Sequence, residues 1–310
     1  MTETSAAAGT STLALRPLVT AMRPYQWPKN VIVFAAFVFS AGDDWTPGDA
    51  GSWWPLLWRN MALFALWCLA ASATYLLNDI LDREADRIHP RKRFRPIASG
   101  ELPVGTAKAA AIALVVVAIP LACALNLIAG LVLLGYTAGM ALYSLGLKEV
   151  AILDVIILVG GVVARAVGGA LVIDVDISPW LYVCTSFGAF FFASSKRWAE
   201  YRQLGADAAA HRAALRHYSG NVLDQLLTIS AASALLSYAL YTIESVNVPE
   251  NGTMALTLPF VAFALFRYLL LLNGERRTDA PDRILFTDPQ ILMAVVGFVV
   301  TALVVMAASR

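Results

Sequence analysis

The sequence predicts an all-α fold, that of a polytopic membrane protein built as a bundle of nine transmembrane helices. The chain has 310 residues, of which 59% are hydrophobic and only 15% charged, whereas soluble domains are typically about half apolar and a quarter charged. Its apolar runs are continuous and about 17–24 residues long, the length at which a helix crosses roughly 30 Å of hydrocarbon. A β-barrel would instead show short segments of alternating hydrophobicity.

The nine candidate spans follow one another along the whole chain. They cover residues 27–43, 61–78, 106–123, 125–144, 150–172, 179–195, 225–243, 255–273 and 289–308, and the first is the least regular. Residues 1–15 are small and polar and lack the basic region of a secretory signal, so we expect a disordered N-terminal tail. We expect residues 16–310 to form a single transmembrane domain, because no segment outside the spans is large enough to fold alone.

The distribution of Lys and Arg predicts the orientation in the cell membrane. With the N-terminus in the cytoplasm, only Arg59 and Arg310 of the 23 Lys and Arg residues fall on the outer side, and Arg165 and Arg267 lie within spans. The outer connections carry acidic residues instead, namely Asp43, Asp44, Asp49, Asp174, Asp176, Glu244 and Glu250. An odd number of spans then places the C-terminus outside.

The cytoplasmic side also carries the long charged connections, which run from about 79 to 105 and from about 196 to 224. Long loops on one face indicate the working face of a membrane protein. The outer connection 44–60 contains four tryptophans, which we interpret as interfacial anchors: Trp45, Trp53, Trp54 and Trp58.

An acidic segment follows the second span. If the helix continues, Asn78, Asp82 and Asp86 form one stripe with Asp79 beside it, because residues three and four apart share a helix face. Converging oxygen side chains at a membrane edge are costly unless a cation binds them, and Mg²⁺ accepts a few carboxylates together with phosphate oxygens. A basic run at 89–95 follows directly and suits a phosphate ligand. The alternative is a solvated acidic helix end with a basic flank.

Other ionisable side chains lie at or inside the spans. Lys29 and Asn30 begin an apolar run, and the alternative to a binding role is snorkelling of Lys29 beside Trp27. Asp154 and Arg165 lie inside one span, where charges indicate function or a structural ion pair. Eleven residues of helix separate them by about 16 Å, so we expect each to have another partner.

A cationic cluster follows the sixth span. On a helix, Lys196, Arg197 and Glu200 lie at neighbouring positions, and with Arg202 they suit a phosphate group. The alternative is a flank that enforces topology. We interpret the later cluster of Arg276, Arg277 and Arg283 as such a flank.

The cysteines and histidines predict neither a disulfide framework nor a zinc site, because they lack the required spacings. We expect Cys68, Cys123 and Cys184 to fill the core, and His211 and His217 to lie in loops. His89 belongs to the basic run.

The motif Asn78-Asp79-x-x-Asp82-x-x-x-Asp86, followed by Arg95-Pro96-Ile97-Ala98-Ser99-Gly100, resembles the UbiA superfamily of intramembrane transferases. The resemblance implies a UbiA-like bundle of nine helices with cytoplasmic cap segments, and an active site that uses Mg²⁺. Three features depart from the usual pattern. Ser195–Glu200 replaces a second aspartate-rich motif, Tyr143 and Lys148 form a tyrosine–lysine pair with unusual spacing, and the segment QWPKN at 26–30 is unusual.

These departures resemble the actinobacterial branch of the superfamily that acts on decaprenyl phosphate. That branch implies transfer of 5-phosphoribose from phosphoribosyl pyrophosphate to this lipid for cell-wall arabinan synthesis, with release of pyrophosphate. The implied metal ligands are Asn78, Asp82 and Asp86, and the implied catalytic set adds Asp79. The implied substrate-binding residues are Lys29, Asn30, Arg95, Tyr143, Lys148, Asp154, Arg165, Lys196, Arg197, Glu200 and Arg202.

Other functions stay open at this point. A UbiA-type prenyltransferase that joins a prenyl diphosphate to an aromatic or quinone precursor would share the fold, the metal and the first motif. A transporter would use the intramembrane charges equally well, whereas a purely structural scaffold would not need the acidic stripe. The sequence suggests no nucleic-acid partner and leaves a homo-oligomer open.

Overall fold

The structure is a computed structural model, and it describes residues 15–42, 44–46, 48–176, 178–204, 213–245, 248–249, 251–274 and 281–308. Within these ranges all regular structure is helical apart from one isolated bridge between Ala41 and Trp45. The predicted all-α class is therefore confirmed. The predicted tail up to residue 14, His211 and the pair Arg276-Arg277 lie outside the described residues.

Eight long α-helices, numbered here in chain order, carry most of the described chain. They are α1 Ala50–Leu81, α2 Val104–Leu125, α3 Leu127–Leu145, α4 Leu153–Ile173, α5 Pro179–Leu204, α6 Gly220–Glu244, α7 Leu258–Asn273 and α8 Pro289–Ala308. Shorter α-helical stretches are 15–22, Ala35–Phe39, Arg83–Ile88, Pro96–Ser99 and Pro281–Thr287, and the 3₁₀ segments are Pro24–Phe34, Lys92–Phe94, Leu147–Glu149, Ala213–His217 and Thr253–Thr257. Residue 15, predicted to end the disordered tail, is therefore helical.

Among the described helices, seven are long and apolar enough to cross a membrane. They are α1, α2, α3, α4, α6, the stretch Thr253–Asn273 that ends with α7, and the residues Pro289–Met306 of α8. Helix α5 is not among them, because aromatic and hydroxyl side chains dilute its first half and charges fill its second half. The chain is thus a multi-pass membrane protein, and nine spans stay a prediction.

The predicted first span, 27–43, is not a continuous α-helix. Residues Pro24–Phe34 form a 3₁₀ helix, and only Ala35–Phe39 are α-helical. Pro28 accounts for the start of this difference, because proline lacks an amide hydrogen and its ring clashes with the preceding turn of an α-helix.

The predicted outer connection 44–60 is also partly wrong, since α1 begins at Ala50. The Asp49 carboxylate accepts a hydrogen bond from Gly51 N–H at 2.9 Å and so caps the helix. Three of the four predicted anchor tryptophans therefore lie on the first turns of α1 rather than in a loop: Trp53, Trp54 and Trp58.

The first compact unit comprises residues 1–147 and 164–176, as far as they are described. Helix α1 packs against α2 and α3, which form a hairpin. Asn126 closes this hairpin, because its Oδ1 accepts from Ala129 N–H and its Nδ2 donates to the Leu171 carbonyl of α4. The α2–α3 approach is close, since a Cβ at Gly130 would overlap the backbone of Cys123.

The 3₁₀ segment Pro24–Phe34 lies against α1 and the end of α4 within this unit. A Cβ at Gly169 of α4 would overlap the backbone carbonyl of Val33, so only glycine permits this approach. Asn60 of α1 is buried. In the amide orientation that satisfies its hydrogen bonds, its Nδ2 donates to the carbonyls of Val33 and Gly169, each at 3.1 Å. The Val33 carbonyl of the segment is thereby satisfied by protein, as a low-dielectric setting requires.

The second compact unit comprises residues 148–163 and 177–310, as far as they are described. Helices α5 and α6 pack along their length, and the core includes Phe191, Trp198, Leu223, Leu227, Tyr268 and Ile291. Arg267, predicted to lie within a span, donates from Nη2 to Asp288 at 2.9 Å. This hydrogen bond lowers the pKa of Asp288, whose carboxylate also accepts from Ile291 N–H at the start of α8.

The substitution Gly169→Ala tests the close approach in the first unit. The new methyl group would collide with backbone, which has no alternative rotamer, so we expect a loss of about 1–3 kcal/mol of stability, measured as a lower melting temperature of the purified protein. Gly160→Ala on the same helix is the control, because nothing lies within 4 Å of that position and alanine is the better helix former. Equal melting temperatures for the two variants would contradict the packing.

Candidate functional site

The acidic segment after α1 keeps helical hydrogen bonding, although the helix is interrupted at Asp82. Helix α1 ends at Leu81, and a short helix follows over Arg83–Ile88. The Asp82 N–H donates to the Asn78 carbonyl at 2.9 Å, and the Asp86 N–H donates to the Asp82 carbonyl at 2.8 Å. The four-residue spacing assumed for the stripe is therefore present in the backbone.

Side-chain hydrogen bonds divide this segment into two parts. In the first part, Asn78 Nδ2 donates to Asp82 Oδ2 at 3.0 Å. Ser144 Oγ, at the end of α3, donates to Asn78 Oδ1 at 3.3 Å and so orients the amide. This part offers carboxylate and amide oxygens, which are the ligand types that Mg²⁺ and Ca²⁺ take in proteins.

In the second part, two buried carboxylates share one arginine, and a second arginine contacts one of them. Asp79 and Asp86 are each only 2% exposed. Arg95 Nη1 donates to Asp79 Oδ1 at 3.1 Å and to Asp86 Oδ2 at 2.6 Å, and Arg23 Nη2 donates to Asp79 Oδ1 at 2.5 Å. Buried carboxylates need such partners, because an uncompensated charge of this kind is strongly destabilising.

Arg23 is a site residue that the sequence analysis did not identify. It has a positive φ of 56°, a conformation that is uncommon for residues other than glycine, and its guanidinium lies 5.1 Å from the centre of the Tyr75 ring. A buried aspartate at the end of a span needs a cationic partner. This need is the only feature of the sequence that points to a residue such as Arg23. It could not select Arg23 among the many nearby arginines.

The structure gives Arg95 a different setting from the one predicted. The resemblance implied a phosphate contact, whereas the guanidinium bridges the two buried aspartates. Its five donors in a planar fork suit this bridging role. A phosphate role for Arg95 stays a prediction.

The segment QWPKN places one cation at the surface and one amide in the core. Lys29 is exposed, and its Nζ donates to Gln26 Oε1 at 2.8 Å. Asn30 is 1% exposed, and its Nδ2 donates to Cys68 Sγ at 3.2 Å. The two neighbouring candidates therefore have different surroundings, and Asn30 belongs to the interior.

Arg165 is the partner of Asn30. Its Nε donates to Asn30 Oδ1 at 2.7 Å, and its Nη2 donates to Tyr136 Oη at 3.1 Å. The guanidinium lies 4.9 Å from the Trp67 ring centre and 4.7 Å from that of Tyr136, so cation–π attraction adds to the hydrogen bonds. The expectation that Arg165 pairs with a residue other than Asp154 is correct.

Asp154 begins a second buried network, in the second unit. Arg197 Nε donates to Asp154 Oδ2 at 2.6 Å, and Arg197 Nη1 contacts Glu200 at 3.2 Å, as the helical spacing predicted. Tyr218 Oη donates to Asp154 Oδ1 at 2.9 Å. Burial raises the pKa of Tyr218 to about 12, so the hydroxyl stays protonated as a donor at neutral pH.

Tyr218 is the second residue that the sequence analysis missed. It lies 64 residues from Asp154 along the chain, and no motif marks it. Arg197 is only 4% exposed, and its guanidinium contacts the carboxylates of Asp154 and Glu200. A phosphate role for Arg197 stays a prediction.

The remaining candidates lie at helix ends. Arg202 on α5 stacks on Trp198 and donates to the Asn273 carbonyl at 3.2 Å, which satisfies the C-terminal end of α7. Lys196 on α5 and Lys148 in the 3₁₀ turn after α3 are half-buried, and Tyr143 at the end of α3 is buried.

The donor chemistry at Asp82 fits a divalent cation that also binds substrate. Within the described ranges, no group of three His, Cys, Asp or Glu side chains is arranged to hold a metal by itself. A site of one or two carboxylates with an amide is nevertheless what Mg²⁺ uses when phosphates and waters complete its shell. Asn78 and Asp82 provide that set, with Asp86 one turn further along.

Comparisons with known proteins agree with these features. The model of the UbiA prenyltransferase family matches residues 31–288. Decaprenyl-phosphate phosphoribosyltransferase from Mycobacterium tuberculosis strain H37Rv is 32% identical over 284 residues, which are 92% of this chain and 92% of that protein. The protein of the same name from Corynebacterium glutamicum is 34% identical over 91% of this chain and 84% of its own length.

A solved structure shows the same fold. A UbiA homolog from Archaeoglobus fulgidus, bound to GPP and Mg²⁺, superposes with a TM-score of 0.69 at 19% identity, over 94% of this chain and 99% of that one. The expected resemblance is thereby confirmed on the match to residues 31–288, which include both the acidic segment and Lys196, Arg197 and Glu200 of α5. The chain belongs to the UbiA prenyltransferase family.

Proposed function

We propose that this protein transfers 5-phosphoribose from phosphoribosyl pyrophosphate to decaprenyl phosphate and releases pyrophosphate. The observation that carries the proposal is the similarity, along nearly the whole chain, to relatives named for phosphoribosyl transfer to this lipid. The departure from the usual aspartate-rich motif at Ser195–Glu200 supports it, because a sugar donor with a 5-phosphate is a larger polyanion than a prenyl diphosphate.

Asn78, Asp82 and Asp86 are the proposed ligands of Mg²⁺, and solved UbiA structures with Mg²⁺ support the choice of metal. When bound, the ion would neutralise charge on the leaving pyrophosphate. Asp79 would act through the network: it holds Arg23 and Arg95, and Arg95 in turn orients Asp86. The acidic segment then presents fixed oxygens, which need little reorganisation during the reaction.

The reaction breaks the bond between ribose C1 and the pyrophosphate oxygen and forms one between C1 and an oxygen of the lipid phosphate. Positive charge develops at C1 as the pyrophosphate leaves. The attacking lipid phosphate is already an anion, so no strong general base is required. Lys29, Lys148 and Lys196 are the proposed phosphate contacts, since an ammonium group binds phosphate as a compact point charge.

We also propose the orientation given by the positive charges. The N-terminus and the acidic segment would lie in the cytoplasm of a cell whose plasma membrane holds the chain, and the C-terminus would lie outside. The bias of Lys and Arg supports this placement. A soluble, charged sugar donor would then reach the site from the cytoplasm, and the polyprenyl tail would stay in the lipid.

The deciding experiment incubates purified protein with labelled phosphoribosyl pyrophosphate, decaprenyl phosphate and Mg²⁺, and looks for a ribosylated lipid and free pyrophosphate. A parallel reaction contains a prenyl diphosphate and an aromatic acid. We expect product only in the first reaction. Prenylation of the acid without ribosylated lipid would reject the proposal and establish the prenyltransferase alternative, whereas a transporter would release no pyrophosphate in either.

The substitution Asp82→Asn tests the metal site. Loss of the carboxylate charge should lower turnover by about 100-fold or more, as removal of a positioned electrostatic group does in other enzymes. Glu84→Gln is the matched control, because Glu84 is 75% exposed and pairs with the nearby Arg83 and Arg87. A Glu84 variant as impaired as the Asp82 variant would contradict the assignment.

Removal of divalent cations tests the need for metal. Chelation with EDTA should abolish phosphoribosyl transfer, because the charge that develops on pyrophosphate would lose its main counter-charge. Excess Mg²⁺ should restore the rate, and the melting temperature of the substrate-free protein in EDTA serves as the control for unfolding. Full activity in EDTA, after metal analysis shows a metal-free protein, would exclude the role proposed for Mg²⁺.

A further inference from the structure

The turn that precedes α4 contains an unusual backbone conformation. Ile152 has a φ of 70°, in the left-handed region that β-branched residues rarely adopt. Such conformations persist only where surrounding contacts over-determine them, and they cluster at functional sites. The contacts that hold Ile152 therefore bear on what this turn does.

Tyr218 provides the main polar contact that holds the turn. The Ile152 N–H donates to Tyr218 Oη at 2.7 Å, and the same hydroxyl donates to Asp154 Oδ1 at 2.9 Å. Tyr218 is 5% exposed and belongs to a core cluster against which Ala151 also packs. One buried hydroxyl thus joins the strained residue to the first turn of α4.

The turn connects two of the proposed phosphate-binding elements within the second unit. Lys148 lies in the 3₁₀ turn Leu147–Glu149, which ends three residues before Ile152. Asp154, after it, accepts a hydrogen bond from Arg197 at 2.6 Å, and Arg197 follows Lys196 on α5. The backbone at Ile152 therefore sets where Lys148 lies relative to the helix that carries Lys196.

We propose that Tyr218 is a positioning residue for the phosphorylated donor. Its hydroxyl fixes the strained turn and so places Lys148, without contact to the reacting atoms. The expected effect of Tyr218 on catalysis rests on the proposed function. The expected effect of Tyr218 on the turn rests on geometry alone. The two parts are tested by different measurements.

The variant Tyr218→Phe keeps the ring and removes the hydroxyl. Tyr238→Phe is the matched control, since Tyr238 is also a buried tyrosine of the second unit and its hydroxyl bonds to Thr257 Oγ1 at 2.6 Å. In substrate-free protein, hydrogen exchange of the backbone at 148–156 should be faster in the Tyr218 variant and unchanged in the control. Equal exchange in the wild type and both variants would overturn the claim that Tyr218 holds the turn.

In the transfer assay, Tyr218→Phe should raise the KM for phosphoribosyl pyrophosphate by about tenfold, because the Ile152 N–H would be left unsatisfied and the turn would no longer hold Lys148 in place. The KM for decaprenyl phosphate and kcat should change little, and Tyr238→Phe should leave all three constants unchanged. An unchanged donor KM, or an equal rise in the lipid KM, would overturn the positioning role. Absence of transfer in the wild type would instead reject the proposed function.

A second substitution separates positioning from a general loss of stability. Ile152→Asn in the Tyr218→Phe background introduces a residue that tolerates the left-handed region, so the turn no longer needs the same restraint. We expect the donor KM to return to within about threefold of the wild-type value, because asparagine relieves the backbone strain. A double variant as impaired as Tyr218→Phe alone would show that the strained turn is not the cause, and would overturn the proposal.

Discussion

The structure depends on a single constraint, the cost of an ionised group buried away from water. Removing one partner from a buried ion pair typically costs about 3–5 kcal/mol, so buried charges in this chain occur in small closed sets. Asp79 and Asp86 share Arg95, Asp79 also pairs with Arg23, and Asp154 pairs with Arg197. Arg165 is held by an amide, a hydroxyl and two aromatic rings.

The buried arginines and the more accessible lysines of the chain differ in how they meet this constraint. Arginine presents several donors in a fixed plane and can bridge two acceptors, and the buried arginines here do so with side chains of the protein itself. The lysines proposed as phosphate contacts are at least partly accessible: Lys29 is exposed, and Lys148 and Lys196 are half-buried. Within the proposed function, this difference in accessibility favours the lysines as phosphate contacts, and the phosphate roles of Arg95, Arg197 and Arg202 stay predictions.

The sequence predicted well the features that depend on local pattern. Apolar runs predicted most of the long helices, although α1 begins at residue 50 rather than 61 and α5 continues to residue 204 rather than 195. Helical spacing predicted the backbone hydrogen bonds of the acidic segment and the i,i+3 contact of Arg197 with Glu200. Prediction from the sequence failed where proline changed the helix type at Pro24–Phe34, and where pairing joined distant positions. Arg23 lies 56 residues from Asp79 and Tyr218 lies 64 from Asp154, separations at which periodicity carries no information.

The balance of charge within the two buried networks indicates where a metal ion and a phosphate group would be attracted. In the first unit Arg23 pairs with Asp79, and Arg95 pairs with both Asp79 and Asp86. Asp82 accepts a hydrogen bond from the Asn78 amide, and its carboxylate would attract a cation placed beside it. In the second unit Arg197 contacts two carboxylates, those of Asp154 and Glu200. The presence of Arg197 at Ser195–Glu200, where the family usually has an aspartate-rich motif, therefore does not by itself create a cationic site. On the proposed function, we expect Lys196 and Lys148 to add attraction for a phosphorylated sugar, and this is why the backbone that places Lys148 matters for that function.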